Sequence, residues 1–281
     1  MSALPAHVLT PAEIAAWHRD GFVLRRAVFA IGETERLLAD ADLAMARCRD
    51  AARSDAAQYF TFANADSGSA SIAAGLDHSG TAFEALCRDP RVIDPVFQLF
   101  GEQQYIHHAK LMNKTAFTGI AWLWHQDYGY WQDIGSVRPD MVSAMVFLDA
   151  ARRDNGCLLV MPGSHRRGRH EHRCGGDTGG GLSQTHLPAP ILRELCARHP
   201  IVAIEAEPGD LLLFDCNLAH ASGHNLSADD RRAVIVAYNT DANRPAAHRD
   251  WPLVRRGAEG AISGFRTRGE WAPQPVAAPS R

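Results

Sequence analysis

The sequence predicts a mainly β protein in which helices flank a jelly-roll core. Two observations lead to this prediction. Helical patterns fill the chain up to Gly101, and beyond that residue short β-type runs follow one another between turn residues. Helices followed by many short strands are typical of a β-sandwich or jelly roll that carries added helices.

The chain shows no internal repeat and no linker that would divide it, so we expect a single domain over residues 1–281. Within that domain we expect a mostly helical part at 1–100, the jelly-roll core at 101–240 and a C-terminal extension at 241–281. A length of 281 residues suits one large β-rich domain.

The first helix is predicted from its N-terminal signals. Thr10 is a suitable N-cap, Pro11 occupies the first helical position, and Glu13 completes a capping box. Asp20 and Gly21 end the helix, because glycine adopts the left-handed conformation that commonly follows a last turn. The apolar run that comes next predicts a short strand.

A second helix is predicted over 32–50, where apolar residues recur at helical spacing. Its expected core-facing residues are Leu37, Leu38, Leu43 and Met45. Small, polar and glycine-rich residues then predict a loop at 51–80. Further helical patterns occupy 81–100 and end at Gly101.

Seven β-type runs are predicted after Gly101, and turn sequences such as Asp-Asn-Gly and Pro-Gly-Asp separate them. They lie at 104–113, 121–127, 141–148, 157–161, 201–205, 211–215 and 232–239. Between them the basic, then glycine-rich segment 164–186 predicts a long mobile loop. Such a segment is either a solvated insertion, which is the commoner case, or a lid over a site, and the same question applies to 51–80.

Composition excludes several classes of protein. A net charge of −3 gives no reason to expect binding to nucleic acid or to an anionic membrane. The sequence has no apolar run of 18 residues, and its start, MSALPAHVLTPAEI, lacks the basic and apolar regions of a signal peptide, so we expect neither a membrane-spanning helix nor a signal peptide. Its six cysteines are scattered without a CxxC pair, which favours reduced thiols and a cytoplasmic location.

The stretch WLWHQDYGYW places His125 two residues before Asp127. In a strand, residues two apart point to the same face, so both side chains could bind one ion. His220, which ends DLLLFDCNLAH, a stretch expected to form a buried strand, is the best placed third ligand. Two histidines and one carboxylate suit the open Fe(II) site of non-haem oxygenases. A hydrogen-bonded His–Asp pair without a metal is the alternative, and spacing alone leaves it open.

Arg231 follows His220 by eleven positions and starts the apolar strand AVIVAYN. Arginine binds carboxylates through two parallel hydrogen bonds, so a buried Arg231 could hold an acidic co-substrate. The next residue on its strand face is Ala233, which leaves room. A surface position for Arg231 is the alternative.

Together these motifs resemble the phytanoyl-CoA dioxygenase family of Fe(II)/2-oxoglutarate-dependent oxygenases, and within it the ectoine-hydroxylase-like branch. The resemblance rests on WHQD, on His220 followed by Arg231 at the family's interval, and on the segments LTPAEIAAWHRDGFVLRR, NGCLLVMPGSHRRG and EPGDLLLFD. It covers most of residues 8–240. It implies a cupin-like double-stranded β-helix core.

The resemblance also implies roles for individual residues. His125, Asp127 and His220 would bind the iron, and Arg231 would pair with the distal carboxylate of 2-oxoglutarate. Ser222 matches a position that helps to hold that carboxylate. The implied cofactors are Fe(II), 2-oxoglutarate and O2.

Further family positions point to the cavity. Lys114 matches a lysine of ectoine hydroxylases, and Lys110 and His108 lie on its strand face, so all three are expected to bind co-substrate. Met112, on the same face, departs from the polar residue of those enzymes and puts that contact in doubt. Two aromatic residues complete the set: Trp122 is expected in the cofactor pocket and Trp131 against the substrate. Trp124 and Tyr128 are expected to pack in the core.

The function that follows is hydroxylation of a small polar molecule, an amino acid or an amino-acid derivative, with release of succinate and CO2. Family halogenases carry a small residue at the position of Asp127, so its carboxylate implies hydroxylation. A hydrophobic acyl or natural-product substrate is the alternative, followed by a non-catalytic metal-binding β-sandwich and a zinc hydrolase. The expected partner is a small-molecule substrate, and the expected state is a monomer or homodimer.

Overall fold

The computed structural model of the chain describes residues 8–53, 72–76, 79, 81–133, 135–176, 183–245 and 254, and the statements below concern these residues. Most of the predicted loop at 51–80 and most of the predicted extension at 241–281 lie outside them. No helix within the described part of the chain is long and apolar enough to cross a membrane.

Two antiparallel sheets build the fold. The strands are β1 (Phe22–Arg25), β2 (Ile72–Ala74), β3 (Gln104–Lys114), β4 (Trp122–His125), β5 (Met141–Phe147), β6 (Leu158–Val160), β7 (Arg173–Gly176), β8 (Gln184–His186), β9 (Val202–Ile204), β10 (Leu211–Asp215), β11 (His220–Ser222) and β12 (Arg231–Thr240). The larger sheet has the order β1-β10-β5-β12-β3-β2, and the smaller has the order β4-β11-β6-β9. Strands β7 and β8 form a separate hairpin. This mainly β arrangement confirms the predicted jelly roll.

The helices are α1 (Pro11–Asp20), α2 (Ile31–Arg53), α3 (Ala82–Leu86), α4 (Pro90–Phe100), α5 (Tyr128–Trp131) and α6 (Ala189–Cys196). The first is stabilised by the predicted capping box, in which Thr10 and Glu13 satisfy each other's backbone N–H groups. Gly21 ends it in the left-handed conformation with φ 83°. Gly101 ends α4 in the same way.

The outer face of the large sheet packs against the first four helices. Alternate residues of β5, Val142, Ala144 and Val146, join one buried cluster with Leu37 of α2. Burying such a side chain stabilises the fold by about 1.5–3 kcal/mol. The predicted contact of Leu43 with this core is wrong, because Leu43 is 59% exposed.

The inner face of the large sheet packs against the small sheet. Met145 and Phe147 of β5 are buried there with Val160 of β6 and Ile204 of β9. Strand β5 therefore has both faces covered, and all seven of its residues are buried. A polar side chain on its inner face, Ser143, must find its partner inside the protein.

Two expectations about irregular segments need correction. The segment 164–186 contains a 3-10 turn, Ser164–Arg167, and the hairpin β7–β8, so its described part is not a structureless loop. Helix α6 was not predicted at all. Its signals were a proline in the first turn and the apolar residues Ile191, Leu192 and Leu195, which pack against Trp124 and Met161. The single-domain organisation over 1–281 stays a prediction.

Candidate metal centre

Two neighbouring strands of the small sheet bring the predicted ligands together. His125 ends β4 and pairs directly with His220, which begins β11. The expectation that His220 ends a strand from Leu211 is wrong. The chain leaves the large sheet at Asp215, turns, and enters the small sheet at His220. The turn moves the chain from one sheet to the other and so places the histidine inside the barrel.

Asp127 lies beside the two histidines, but strand alternation is not what positions its side chain. Strand β4 stops at His125, and Asp127 is the helical N-cap of α5 with φ −56° and ψ −37°. The residues between them form a turn, not a strand. The side chains still converge because the turn bends the carboxylate back toward the imidazoles.

The three side chains form a compact group. Both histidine Nε2 atoms lie 3.8 Å from Oδ1 of Asp127, and the two imidazole centroids are 4.1 Å apart. A hydrogen bond needs about 3.2 Å or less between such atoms. The metal-free hydrogen-bonded His–Asp pair is therefore not what the structure contains. The distances instead leave room for an ion between the three donors.

Backbone carbonyls orient both imidazoles. Nδ1 of His125 lies 2.6 Å from the Leu123 carbonyl oxygen, and Nδ1 of His220 lies 2.9 Å from that of Leu218. A carbonyl oxygen only accepts, so each Nδ1 carries the proton and donates it. Each Nε2 then presents a lone pair toward Asp127, which is the tautomer that metal-binding histidines use.

Burial and charge keep the group in its metal-binding protonation state. Burial and the neighbouring His220 lower the pKa of His125 to about 3, so its ring is neutral near pH 7. Burial alone would raise the pKa of Asp127. The nearby His220, Lys110 and His125 and a 2.7 Å hydrogen bond from the Ser143 hydroxyl outweigh it, so the pKa lies below its usual value. The donors are two imidazole nitrogens and one carboxylate oxygen, a set that fits Fe(II).

This is the one group of three metal-ligating side chains within 4.8 Å of one another in the described part of the chain. All three residues are at most 9% exposed. The predicted ligand positions are therefore brought together in a site from which most water is excluded.

Arg231 lies buried at the start of β12, only 3% exposed, opposite Lys114 of β3. One terminal nitrogen donates to the Gly156 carbonyl at 2.7 Å, whereas its Nε has no hydrogen-bond partner. No carboxylate of the described residues pairs with it, and burial lowers its pKa to about 10. A buried guanidinium with unused donors is a site for a bidentate anion, and the dicarboxylate 2-oxoglutarate fits it.

Lys114 lies beside Arg231 but is held by the protein itself. Its Nζ donates to the Ile120 and Gly223 carbonyl oxygens at 2.5 and 2.7 Å. Gly156 completes the packing with φ +78°, and a Cβ there would lie 2.6 Å from the Gly223 oxygen and 2.9 Å from Lys114 Cδ. Only glycine fits at that position.

The cavity face of β3 runs from Lys114 past Met112 and Lys110 to His108. Lys110 lies close enough to Asp127 for their charges to interact, and burial lowers its pKa. It makes no hydrogen bond to any described residue. A β-bulge between Ala237 and Tyr238 shifts the register, so that Ala237 lies opposite His108 and Tyr238 lies opposite Ile106. Both His107 and His108 therefore turn toward the ring of Trp131, with centroid distances of 5.3 and 5.6 Å.

The remaining predicted residues occupy different surroundings. Ser222 is buried in β11 and pairs with Trp122 of β4, whose ring centroid lies 6.4 Å from that of His125. Trp124 packs against α6, as expected for a core residue. Tyr128 is buried and donates to the Ser136 carbonyl, so its packing role is also confirmed.

Sequence reasoning missed two side chains that contact the ligands. Ser143 could have been suspected, since it is the polar residue in the apolar run MVSAMVF. Tyr130 gave no separate signal among the aromatics. Its ring meets that of His125 edge-on at 5.6 Å, and its hydroxyl donates to the Thr185 carbonyl at 2.8 Å. Tyr130 thus connects a ligand to the hairpin that covers β4.

Comparison with known proteins gives one family. The family model for phytanoyl-CoA dioxygenase matches residues 17–233. An ectoine dioxygenase from Sphingopyxis alaskensis is 31% identical over 265 residues, which cover 89% of this chain and 84% of that protein. An L-proline trans-4-hydroxylase from Streptomyces griseoviridis is 30% identical over 188 residues, which cover 60% of this chain and 68% of that protein.

Solved structures agree with the sequence relatives. EctD from S. alaskensis with bound Fe superposes with a TM-score of 0.73 at 29% identity, covering 91% of this chain and 87% of that one. The crystal structure of the same protein with 2-oxoglutarate and 5-hydroxyectoine gives a TM-score of 0.72 at 28% identity, covering 93% and 89%.

Proposed function

The chain belongs to the phytanoyl-CoA dioxygenase family, and from that premise we propose that it hydroxylates a small amino acid or amino-acid derivative that carries a carboxylate. It is an Fe(II)- and 2-oxoglutarate-dependent dioxygenase, like its relatives that act on ectoine and L-proline. The observation that carries the proposed substrate class is the unpartnered basic end of the cavity at Lys110 and His108.

His125, Asp127 and His220 are the proposed iron ligands. Their buried, correctly protonated donors support this assignment. When bound, Fe(II) supplies the reaction with O2 that converts 2-oxoglutarate to succinate and CO2 and adds one oxygen atom to the substrate. The protein's own task is to hold the reactants in place and to exclude water. Ser143 holds the Asp127 carboxylate in the required direction through its 2.7 Å hydrogen bond.

Arg231 is proposed to bind the distal carboxylate of 2-oxoglutarate through its unused N–H groups. Strand β11 supports this geometry, because it runs from His220 to Ser222 and is followed by Gly223, which lies beside Lys114 and Gly156. At about 3.3 Å per residue, the strand spans roughly the distance between a metal-bound keto acid and its far carboxylate. We propose that Ser222 and Trp122, paired across the two strands, line this co-substrate pocket. Lys114 supports it from behind, and its direct contact with 2-oxoglutarate stays a prediction.

Lys110, His108 and Trp131 are proposed to bind the substrate. Lys110 and His108 lie farther along β3 from Arg231 than Lys114 does, and His108 Nε2 is buried without a hydrogen-bond partner. Trp131 lies on α5, with its ring centroid 5.6 Å from that of His108. A lysine ammonium and an imidazole suit a carboxylate, and the face of Trp131 suits a small ring or alkyl chain. This assignment differs from the expectation that Lys110 and His108 bind co-substrate, because their neighbours are Asp127 and Trp131.

The alternatives are less well supported. A large hydrophobic scaffold would bury the free Lys110 charge against apolar groups, at a considerable cost. A zinc hydrolase leaves the buried Arg231 without a role. Cytoplasmic location and a monomeric or homodimeric state remain proposals. The proposed location is supported by the five described cysteines, none of which forms a disulfide.

Succinate formation from 2-oxoglutarate and Fe(II) tests the proposal when it is measured across matched compounds. The panel pairs cyclic and linear amino acids with their carboxamides, in which the carboxylate charge is removed. We expect substrate-stimulated succinate with the acids and little with the amides. Equal stimulation by both sets, or stimulation by acyl-CoA esters alone, would contradict the proposed substrate class.

A further inference from the structure

Gln126, the residue between two proposed ligands, is fully buried and joins three separate segments. Its Nε2 donates to the carbonyls of Gly168 and Asn217 at 2.8 and 2.7 Å. Its Oε1 accepts the His170 N–H at 2.8 Å. Asn217 belongs to the turn that leads into His220. One side chain thus ties the turn of His125 and Asp127 to the turn that carries the third ligand.

His172 holds the backbone of the same residue. The Gln126 N–H lies past the end of β4, and it donates to Nε2 of His172 at 3.0 Å. His172 Nδ1 in turn lies 2.8 Å from the His170 carbonyl oxygen, which fixes the proton on Nδ1 and the lone pair on Nε2. Burial lowers the pKa of His172 to about 4, so the ring stays an acceptor near pH 7.

Gly129 leaves the space that this imidazole occupies. A Cβ at Gly129 would lie 2.6–2.7 Å from three atoms of the His172 ring. The ring therefore packs flat against the first turn of α5, the helix whose N-cap is Asp127. We call residues 168–172 the strap. The strap contacts the ligand turn through three hydrogen bonds and one close van der Waals surface, and none of its residues is a proposed ligand.

We propose that Gln126 and the strap residue His172 are positioning residues that hold His125, Asp127 and His220 in the geometry that binds the metal. This inference rests on the proposed metal site. Positioning of this kind is distinct from general folding, because the hydrogen bonds join the two ligand turns to the strap and do not belong to either sheet. Groups that orient metal ligands typically account for about 10- to 100-fold in metal affinity.

The test measures Mn(II) binding to the apoprotein by electron paramagnetic resonance, so that it does not depend on turnover. His172→Leu removes the acceptor but keeps much of the bulk. We expect Mn(II) affinity to fall about 10-fold or more, with the thermal midpoint of the apoprotein little changed. His172→Gln places an amide oxygen near the position of Nε2 and should restore most of the affinity.

Two controls separate the possible failures. His199→Leu removes another half-buried histidine whose Nδ1 contacts a carbonyl, that of Pro162, and it should leave Mn(II) binding unchanged. Asp127→Ala should abolish Mn(II) binding. If Asp127→Ala has no effect, the metal site itself is wrong. If Asp127→Ala abolishes binding while both His172 variants bind like the wild type, only the positioning inference is overturned. The positioning inference is also overturned if His172→Leu and His172→Gln weaken Mn(II) binding equally.

Discussion

Two lysines on one face of β3 have opposite surroundings. Lys114 lies at the Arg231 end of the cavity, where it is 2% exposed and donates to two backbone carbonyls. Lys110 lies four residues earlier on the same face of β3 and near Asp127. It makes no hydrogen bond to a described residue. At the Arg231 end the lysine is already satisfied by the protein. At the other end the lysine still has donors for a ligand.

This difference matches the two ligands that the enzyme must bind. The co-substrate is the same in every turnover, so its pocket can be rigid, with Arg231 fixed against Gly156 and Lys114 fixed behind it. The substrate is what distinguishes members of such a family. We therefore expect specificity to depend on Lys110, His108 and Trp131, and co-substrate affinity to depend on Arg231. The following changes test that division, beginning with the residue between the two ends.

Asp127→Ala should have the largest effect. Changes in groups that only support a ligand cost about 10- to 100-fold, so losing a ligand should cost more than that in turnover. The fold should survive, because this buried carboxylate makes no hydrogen bond to either histidine. Succinate release and the thermal midpoint of the apoprotein are the two measurements.

Ser143→Ala is the matched control for Asp127, since it removes the supporting hydrogen bond and keeps the ligand. We expect a smaller loss of turnover than for Asp127→Ala. If Asp127→Ala hydroxylates normally, Asp127 is not an iron ligand. The division of the cavity into a co-substrate end and a substrate end on either side of the metal would then be wrong as well.

Arg231→Ala should come next and should act on the co-substrate end alone. Losing one partner of a buried, hydrogen-bonded charge pair costs about 2–5 kcal/mol, which corresponds to a rise of at least about 30-fold in the KM for 2-oxoglutarate. Arg231→Lys keeps the charge but loses the bidentate geometry, so an intermediate KM is expected. A KM for 2-oxoglutarate that stays unchanged in both variants would mean that the anchor lies elsewhere on β3.

Much of this division could be anticipated from the sequence. The order of WHQD, His220 and Arg231 identified the residues that the fold brings together, although the hydrophobic pattern did not reveal the short strand that begins at His220. The small Ala233 favoured an inward Arg231 without excluding a surface position, and the structure buries it. These features depend on local pattern and on a shared strand face, both of which a single sequence displays.

Other features depend on tertiary contacts and left no local signal. Strand alternation predicted the convergence of His125 and Asp127 for the wrong reason, since a turn and not a strand brings them together. The bulge at His107 changes which side of β3 faces Trp131, and only pairing with β12 reveals it. His172 was one of 14 histidines, and nothing in its neighbours indicated a contact with Gln126.

Lys110→Met tests the open end. If the ammonium binds the substrate carboxylate, the loss of a charged hydrogen bond of about 1.5–3 kcal/mol should raise the substrate KM by roughly 10- to 100-fold. The KM for 2-oxoglutarate should stay near its original value. Steady-state kinetics with each reactant varied separately give both numbers, and Lys110→Arg should retain part of the substrate affinity.

A reversed result for Lys110→Met would be informative. If the KM for 2-oxoglutarate rises and that for the substrate does not, Lys110 belongs to the co-substrate pocket, as the sequence alone suggested. The basic end would then lose its proposed selectivity for acidic substrates.

The smallest expected effect is on stability, and it compares the two lysines directly. Lys114→Met leaves the Ile120 and Gly223 carbonyls without their donor, and each buried unsatisfied group costs about 1–3 kcal/mol. The free energy of unfolding should fall by an amount in that range, after some relaxation. Lys110→Met removes a desolvated charge that has no hydrogen bond, so the apoprotein should be as stable as the wild type or slightly more so. Urea unfolding of the two apoproteins measures the difference. Equal destabilisation by the two changes would show that Lys110 is held by the protein as Lys114 is, and the contrast between the two ends would not stand.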